Sequence, residues 1–275
     1  MNRMLFACYG AGFNGYPLLR DIVEAAKEYK AGVELTVFTK NSRFPDHMFG
    51  LMQQVVPFKD TYITLHGPYY EVEAATEEHT PENDYFLDGY RQAFGVYHAF
   101  NAHSIVAHTN QYAFDPSMKE IMLSRSLVTM KKLSAMANEA KVNLLFENVG
   151  EHMHGNLLYD QKLFIDLFSK LPENVGALID IGHAMLNDWD IFSVIDALGI
   201  RIRGYHIHNN DGTKDAHLPL FTKGLKYDQT KMKKLLKFME KKTPNSEWIL
   251  EYAPGAHITP LAIKRDMDKI ATCIS

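Results

Sequence analysis

Cysteine is scarce in this chain: Cys8 and Cys273 are the only two in 275 residues. Two thiols near opposite ends make no disulfide framework and no thiolate metal cage, and they suit a reducing cytosol. A basic excess is also missing. Lysine and arginine number 29 against 33 acidic residues, a net charge of −4. Nucleic-acid binders usually carry a strong positive excess or patch, so nucleic acid is not an expected partner. No apolar run approaches the roughly 20 residues that cross a bilayer. The run in "MNRMLFACYG" breaks within about six residues, too short for the apolar part of a signal peptide. A cytoplasmic protein without a membrane partner is expected. Low-complexity and proline- or serine-rich linkers are absent too, so no composition shift marks a domain boundary. One domain over 1–275 is expected, and a homo-oligomer is left open.

What the chain does have is alternation. Short apolar runs bounded by turn signals read as strands buried on both faces. They are "RMLFACYG", "AGVELTVF", "YITLHGPY", "SIVAHTN", "VNLLFEN", "VGALIDIGH", "RIRGYHIHN" and "EWILEYA". Amphipathic stretches fall between them. Examples are "YPLLRDIVEAAKEYK", "DHMFGLMQQVV", the segment from Asp84 to Asn101, "PSMKEIMLSRSLVTMKKLSAMANEAK" and "DQTKMKKLLKFMEK", with "TPLAIKRDMDKIATCI" last. Eight strand–helix repeats predict a (β/α)8 TIM barrel, closed by right-handed crossovers. A doubly wound open sheet is the alternative, with its ligand crevice at one switch point.

The strand ends decide between them. Seven acidic or imidazole side chains lie at or just past the ends of six runs: His66, His108, Glu147, Asp180, His206, His208 and Glu251. A ring of strands brings all such ends to one mouth, where barrels keep their active sites. Glu147, Asp180, His208 and Glu251 are oxygen and nitrogen donors that suit a divalent ion such as Mn, Mg, Co or Zn. Three clustered carboxylates without a cation would repel and take up protons. His206 and His208 share a face of the strand, so one can bind metal and the other substrate. His183, Asp215 and His217 follow in "DIGH" and "KDAH". The acidic run Glu71, Glu73, Glu77 and Glu78 reads as a solvated loop, and Lys231, Lys233, Lys234, Lys237, Lys241 and Lys242 as the wet face of an outer helix. Gly10, Gly12 and Gly15 make no dinucleotide fingerprint, because no acid ends the second strand.

The motifs "HGPY" at 66–69, "VAH" ending at His108, "FEN" at 146–148, "DIGHA" at 180–184, "HIHNNDG" at 206–212, "DAH" at 215–217 and "LE" at 250–251 occur in that order along almost the whole chain. Together they resemble the xylose isomerase-like TIM-barrel superfamily, which holds sugar isomerases, epimerases and the endonuclease IV family. Likeness to its ketose epimerases implies one metal on Glu147, Asp180, His208 and Glu251, with Glu147 and Glu251 as the acid/base pair. His183 would then contact a carbohydrate substrate, with His66, His108 and His206 further candidates for substrate contact from their places at the strand ends, and Lys214 falls where those enzymes often carry a substrate-binding arginine. Likeness to endonuclease IV implies instead three zinc ions, adding His66, His108, His183, Asp215 and His217 as ligands for a phosphodiesterase acting on abasic DNA. Where many relatives continue into Gly-Glu-Gly, this chain reads "FTKG".

The preferred expectation is a metal-dependent sugar or sugar-phosphate isomerase or epimerase, working by carboxylate proton transfer through a metal-bound enediolate. Elimination from that species would make it a lyase. Tyr69, Tyr70, Phe13 and Tyr112 are candidate pocket walls. A barrel that binds sugar without chemistry is a third reading.

Overall fold

The computed structural model describes residues 3–8, 31–37, 61–253 and 259–274, with Asp21 and Glu24 as isolated positions. Apart from Asp21 and Glu24, both helical, the expected first two helices lie outside the described residues, as do the glycines near residue 10 and Phe13.

Eight parallel strands close into a barrel in sequence order. They are β1 (Arg3–Cys8), β2 (Gly32–Thr36), β3 (Ile63–His66), β4 (Ile105–His108), β5 (Leu144–Glu147), β6 (Gly176–Asp180), β7 (Ile202–Ile207) and β8 (Glu247–Tyr252). The closing pair runs Arg3 against Glu247 through Cys8 against Tyr252. A ring has no switch-point crevice, so the open-sheet alternative falls. Among the described residues the helices are α1 (Pro81–Ala99), α2 (Lys119–Glu139), α3 (Gln161–Lys170), α4 (Ile181–Leu186), α5 (Ile191–Leu198), α6 (Gln229–Lys242) and α7 (Pro260–Ile274). None is long and apolar enough to cross a membrane.

Sequence chemistry sets the helix starts. Thr80, Asp160, Asp190 and Asp228 cap α1, α3, α5 and α6, each side chain accepting a backbone N–H of the first turn. Such caps satisfy donors that the helix leaves orphaned. The segment expected as one helix from Pro116 opens instead with a 3₁₀ turn, Pro116–Met118, capped by Asp115. The short α4 was not expected: residues 181–183 were read as the end of the sixth strand.

Alternation along the strands sorts side chains. Leu5, Val106, Leu145, Leu178 and Ile249 point inward and form an apolar plug inside the barrel. Phe6, Phe146, Ile179, Tyr205 and Leu250 point outward into the larger core beneath the helices. Two residues further along the same inward face, Leu145 gives way to Glu147, Leu178 to Asp180 and Ile249 to Glu251. The plug is thus the floor on which the polar layer stands. Cys273 is a buried free thiol on α7.

Candidate metal centre at the barrel mouth

Above the plug, the strand ends converge. Glu147, Asp180, His206, His208 and Glu251 are all buried, Asp180 and both histidines with 0% exposure. Asp180 Oδ2 is 3.0 Å from His208 Nε2. His206 Nδ1 lies 3.3 Å from Glu147 Oε1 and 3.2 Å from Glu251 Oε2. At metal-ligand spacing Glu147 and Asp180 group with His206, and Glu251 and His208 group with His217. The Asp180–His208 contact joins the two groups. Two further triads have such spacing: His66, His108 and Glu147 on one side, His183, Asp215 and His217 on the other.

Local devices hold these groups. Asp180 divides its carboxylate. Oδ1 accepts the His183 N–H at 2.7 Å and caps α4, which leaves Oδ2 for the site. That cap fixes His183 on the first helical turn. Asn148 imitates a strand neighbour: its Oδ1 accepts the Asp180 N–H at 2.8 Å and its Nδ2 donates to Asp180 O at 3.0 Å. Gly182 must lack a side chain, because a Cβ there would stand 1.9 Å from His208 Cε1. The loop after β7 is not a free solvated loop. Asn209 and Leu218 exchange backbone bonds of 2.8 Å, and Ala253 N–H donates to His217 O. This brings His217, 2% exposed, within 2.8 Å of Asp215 Oδ2. The backbone at His217 has φ 44°, a left-handed conformation uncommon outside glycine that histidine adopts more readily than most side chains.

Charge follows from this crowding. Burial raises the Glu147 carboxyl pKa, but the facing imidazoles of His206 and His108 outweigh it and hold the group well below the usual carboxylate range. Asp180 is lowered against burial by His183 and His208, and Asp215 far lowered by His183 and His217. The imidazoles move the other way. Burial opposes their charge, yet Asp180 and Asp215 push His183 well up, and Glu251, Glu34 and Glu147 do the same for His206. His217 is pushed up to about 9, mainly by Glu251 and Asp215 once burial is overcome. His66 is raised by its contact with Glu147 despite burial.

These residues fit a divalent cation. The donors are carboxylate and imidazole only. Glu147 Oε2, His208 Nδ1 and Asp215 Oδ1 are buried and have no hydrogen-bond partner. Buried polar atoms are rarely left so, and an ion is one group that satisfies them.

A cavity of about 170 Å³ opens above the layer. Its described lining includes His66, His108, Glu147, His183, Asp215, His217 and Glu251, with Tyr69, Gln111 and Glu151. Of the expected aromatic walls, Tyr69 lines it, whereas Tyr70 and Tyr112 are exposed. Lys214 is exposed and is not part of the described lining. His206, expected among substrate contacts, has no exposed surface and is not part of the described cavity lining. In the acidic run Glu71, Glu77 and Glu78 are exposed, as expected of a solvated loop, and Glu73 is half-buried. Glu73 accepts the N–H groups of Gln111 and Tyr112, each at 2.9 Å, and so ties the loop after β3 to the loop after β4. Glu77 and Glu78 pair with Arg125 and Lys132 on α2.

Sequence reasoning missed Glu34. It sits inward on β2, 3% exposed, with Oε1 2.8 Å from His206 Nε2. Its signal was the polar pair Glu34 and Thr36 alternating with Val33 and Leu35 in an otherwise apolar run.

No curated protein sequence matches this chain. Solved structures do match along its length. A D-psicose 3-epimerase with D-tagatose from Clostridium cellulolyticum H10 superposes with TM-score 0.73 at 10% identity, covering 99% of each chain. The IOLI protein with a bound zinc atom gives TM-score 0.74 at 14% identity, over 99% of this chain and 98% of that one. An AP endonuclease, family 2, from Brucella melitensis gives 0.69 at 14%, over 96% and 98%. Identities this low speak for the fold alone. The model of the family described as "Xylose isomerase-like TIM barrel" matches residues 19–273. With the closed eight-stranded ring already in view, the chain belongs to the xylose isomerase-like TIM-barrel family.

Proposed function

We propose that this chain is a divalent-metal-dependent isomerase or epimerase of a small carbohydrate or related polyol. The observation that carries the reading is the convergence of two carboxylates. Glu147 from β5 and Glu251 from β8 both line the cavity and both reach one imidazole nitrogen, at 3.3 and 3.2 Å. Two carboxylates approaching one space from different strands suit removal of a proton on one side and its return on another. A divalent ion held by Glu147, Asp180, His208 and Glu251 would supply polarisation of a substrate carbonyl. Either Glu147 or Glu251 takes the proton from the adjacent carbon, and one of them returns it. Return to the neighbouring carbon isomerises; return to the opposite face of the same carbon epimerises. His66, His108 and His183 offer ring nitrogens to hydroxyl groups, and the Tyr69 ring walls off water.

The test is hydrogen exchange. Mn²⁺-loaded protein incubated in D₂O with a panel of ketoses and aldoses is expected to place deuterium on the carbon beside the carbonyl, read by NMR. No exchange with any sugar would count against the reading.

The two outer triads favour a second reading, a trinuclear zinc phosphodiesterase. Their nine-residue union with the central group is complete: His66, His108, Glu147, Asp180, His183, His208, Asp215, His217 and Glu251. Close to three zinc ions per chain, together with cleavage of abasic DNA, would replace the first reading with this one.

A further inference from the structure

We infer that Glu34, Thr64 and His206 form a buried strut that sets the separation of the Glu147 and Glu251 carboxylates. The inference rests on those two glutamates serving as metal ligands, as proposed above, and is independent of which reaction follows.

The strut begins on β2. Glu34 lies between Val33 and Leu35 on the inward face, 3% exposed, and its side chain reaches the edge of the cavity. Burying a carboxylate costs several kcal/mol unless donors meet it. Two do. Thr64 Oγ1 donates to Oε2 at 3.1 Å, and His206 Nε2 donates to Oε1 at 2.8 Å. β2 and β7 are not neighbours in the ring, so this contact spans the barrel interior. The His206 ring then presents its second nitrogen upward, shared between Glu147 Oε1 and Glu251 Oε2. The His66 ring lies nearly parallel to it at 5.7 Å and limits its tilt.

The plug, built from β1, β4, β5, β6 and β8, shows that the other strands fill this barrel with apolar side chains. An ionic pair with a threonine partner is a costlier way to fill the same space, and apolar replacement of such pairs is often neutral or stabilising. What the pair adds is direction. A single imidazole anchored at one nitrogen fixes where two carboxylates stand relative to each other. Metal ligands hold their geometry through such outer partners, and losing one typically weakens metal binding about 10–100-fold. Glu34 and His206 are therefore positioning residues: Glu34 acts through His206, and His206 acts through the carboxylates.

A double-mutant cycle on metal affinity tests this. Mn²⁺ and Co²⁺ binding are measured by calorimetry on wild type, Glu34→Ala, His206→Ala and the double variant, with the visible spectrum of the Co²⁺ form as a readout of coordination. Each single change is expected to weaken binding about 10–100-fold and to alter the Co²⁺ spectrum. The double variant is expected to be no weaker than the worse single one, because both act along one path. Should His206→Ala fail to unfold cooperatively, Thr64→Val, which removes only one donor to Glu34, is expected to weaken binding in the same direction by a smaller factor. Affinity and spectrum unchanged in Glu34→Ala, or losses that multiply in the double variant, would overturn the strut. Wild type that binds metal but exchanges no sugar proton leaves the strut intact and sinks the isomerase reading. Wild type that binds no metal sinks both.

Discussion

Leu145 and Glu147 stand two residues apart on one inward face of β5, and they belong to opposite kinds of matter. Leu145 joins four other apolar side chains in the plug. Glu147 is as deeply buried, 1% exposed, yet it faces His66, His108, His183 and His206. The same step separates Leu178 from Asp180 and Ile249 from Glu251. Burial alone does not distinguish floor from site. What differs is whether a side chain meets carbon or charge. The floor stabilises by removing apolar surface from water. The layer above holds desolvated charges whose spacing a fixed floor maintains, an arrangement that suits chemistry and adds little to stability.

That contrast can be broken from either side. Glu147→Gln is expected to have the largest effect, lowering proton exchange about 10²–10⁴-fold while leaving a cooperative unfolding transition; NMR exchange rates and thermal denaturation check the two halves. Leu145→Ala is expected to do the reverse. It should cost about 2–5 kcal/mol of stability by opening a cavity in the plug, measured by chemical denaturation, with metal stoichiometry preserved. Asn148→Ala tests the seam between the two layers. Its amide completes the backbone of Asp180 at the junction of β5 and β6, and stranding those buried groups should cost about 1–3 kcal/mol.

The smallest effect lies outside the barrel. Asp266 on α7 is buried, and burial raises its carboxyl pKa despite Lys269, Arg265 and the Tyr252 hydroxyl. A raised folded-state value means that the folded protein keeps the proton longer than the unfolded chain. Stability therefore falls as pH rises from the unfolded value of about 3.9 through the higher folded one. Asp266→Asn is expected to flatten that decline, seen as a smaller change in melting temperature across that window.

The ring was legible in the sequence because each strand is short, apolar and stopped by a turn, and because polar residues close the strands that meet at the mouth. The convergence of Glu147, Asp180, His208 and Glu251 followed from the same rule. Other features were hidden for physical reasons. Glu34 sits in mid-strand, where a lone acid reads as an exposed edge; only the closed ring turns that position inward. Helix α4 has six residues, too few for an apolar period to emerge, and its start is marked only by an aspartate that already had another use. Glu73 looked like one solvated acid among several, since nothing in its neighbours announces that it collects two amide protons from a loop 38 residues away. Lys214 rests on likeness to an arginine in other enzymes, and in this chain it is exposed.

The divided carboxylate of Asp180 gives the site a built-in reporter. One oxygen holds the His183 amide and the other faces the proposed metal position, so an ion bound at one is expected to be felt at the other. The His183 amide proton, with its resonance frequency and exchange rate, becomes a gauge of occupancy that needs neither substrate nor turnover. A single backbone signal at the first turn of a six-residue helix would then follow, residue by residue along a ligand titration, the filling of the barrel mouth.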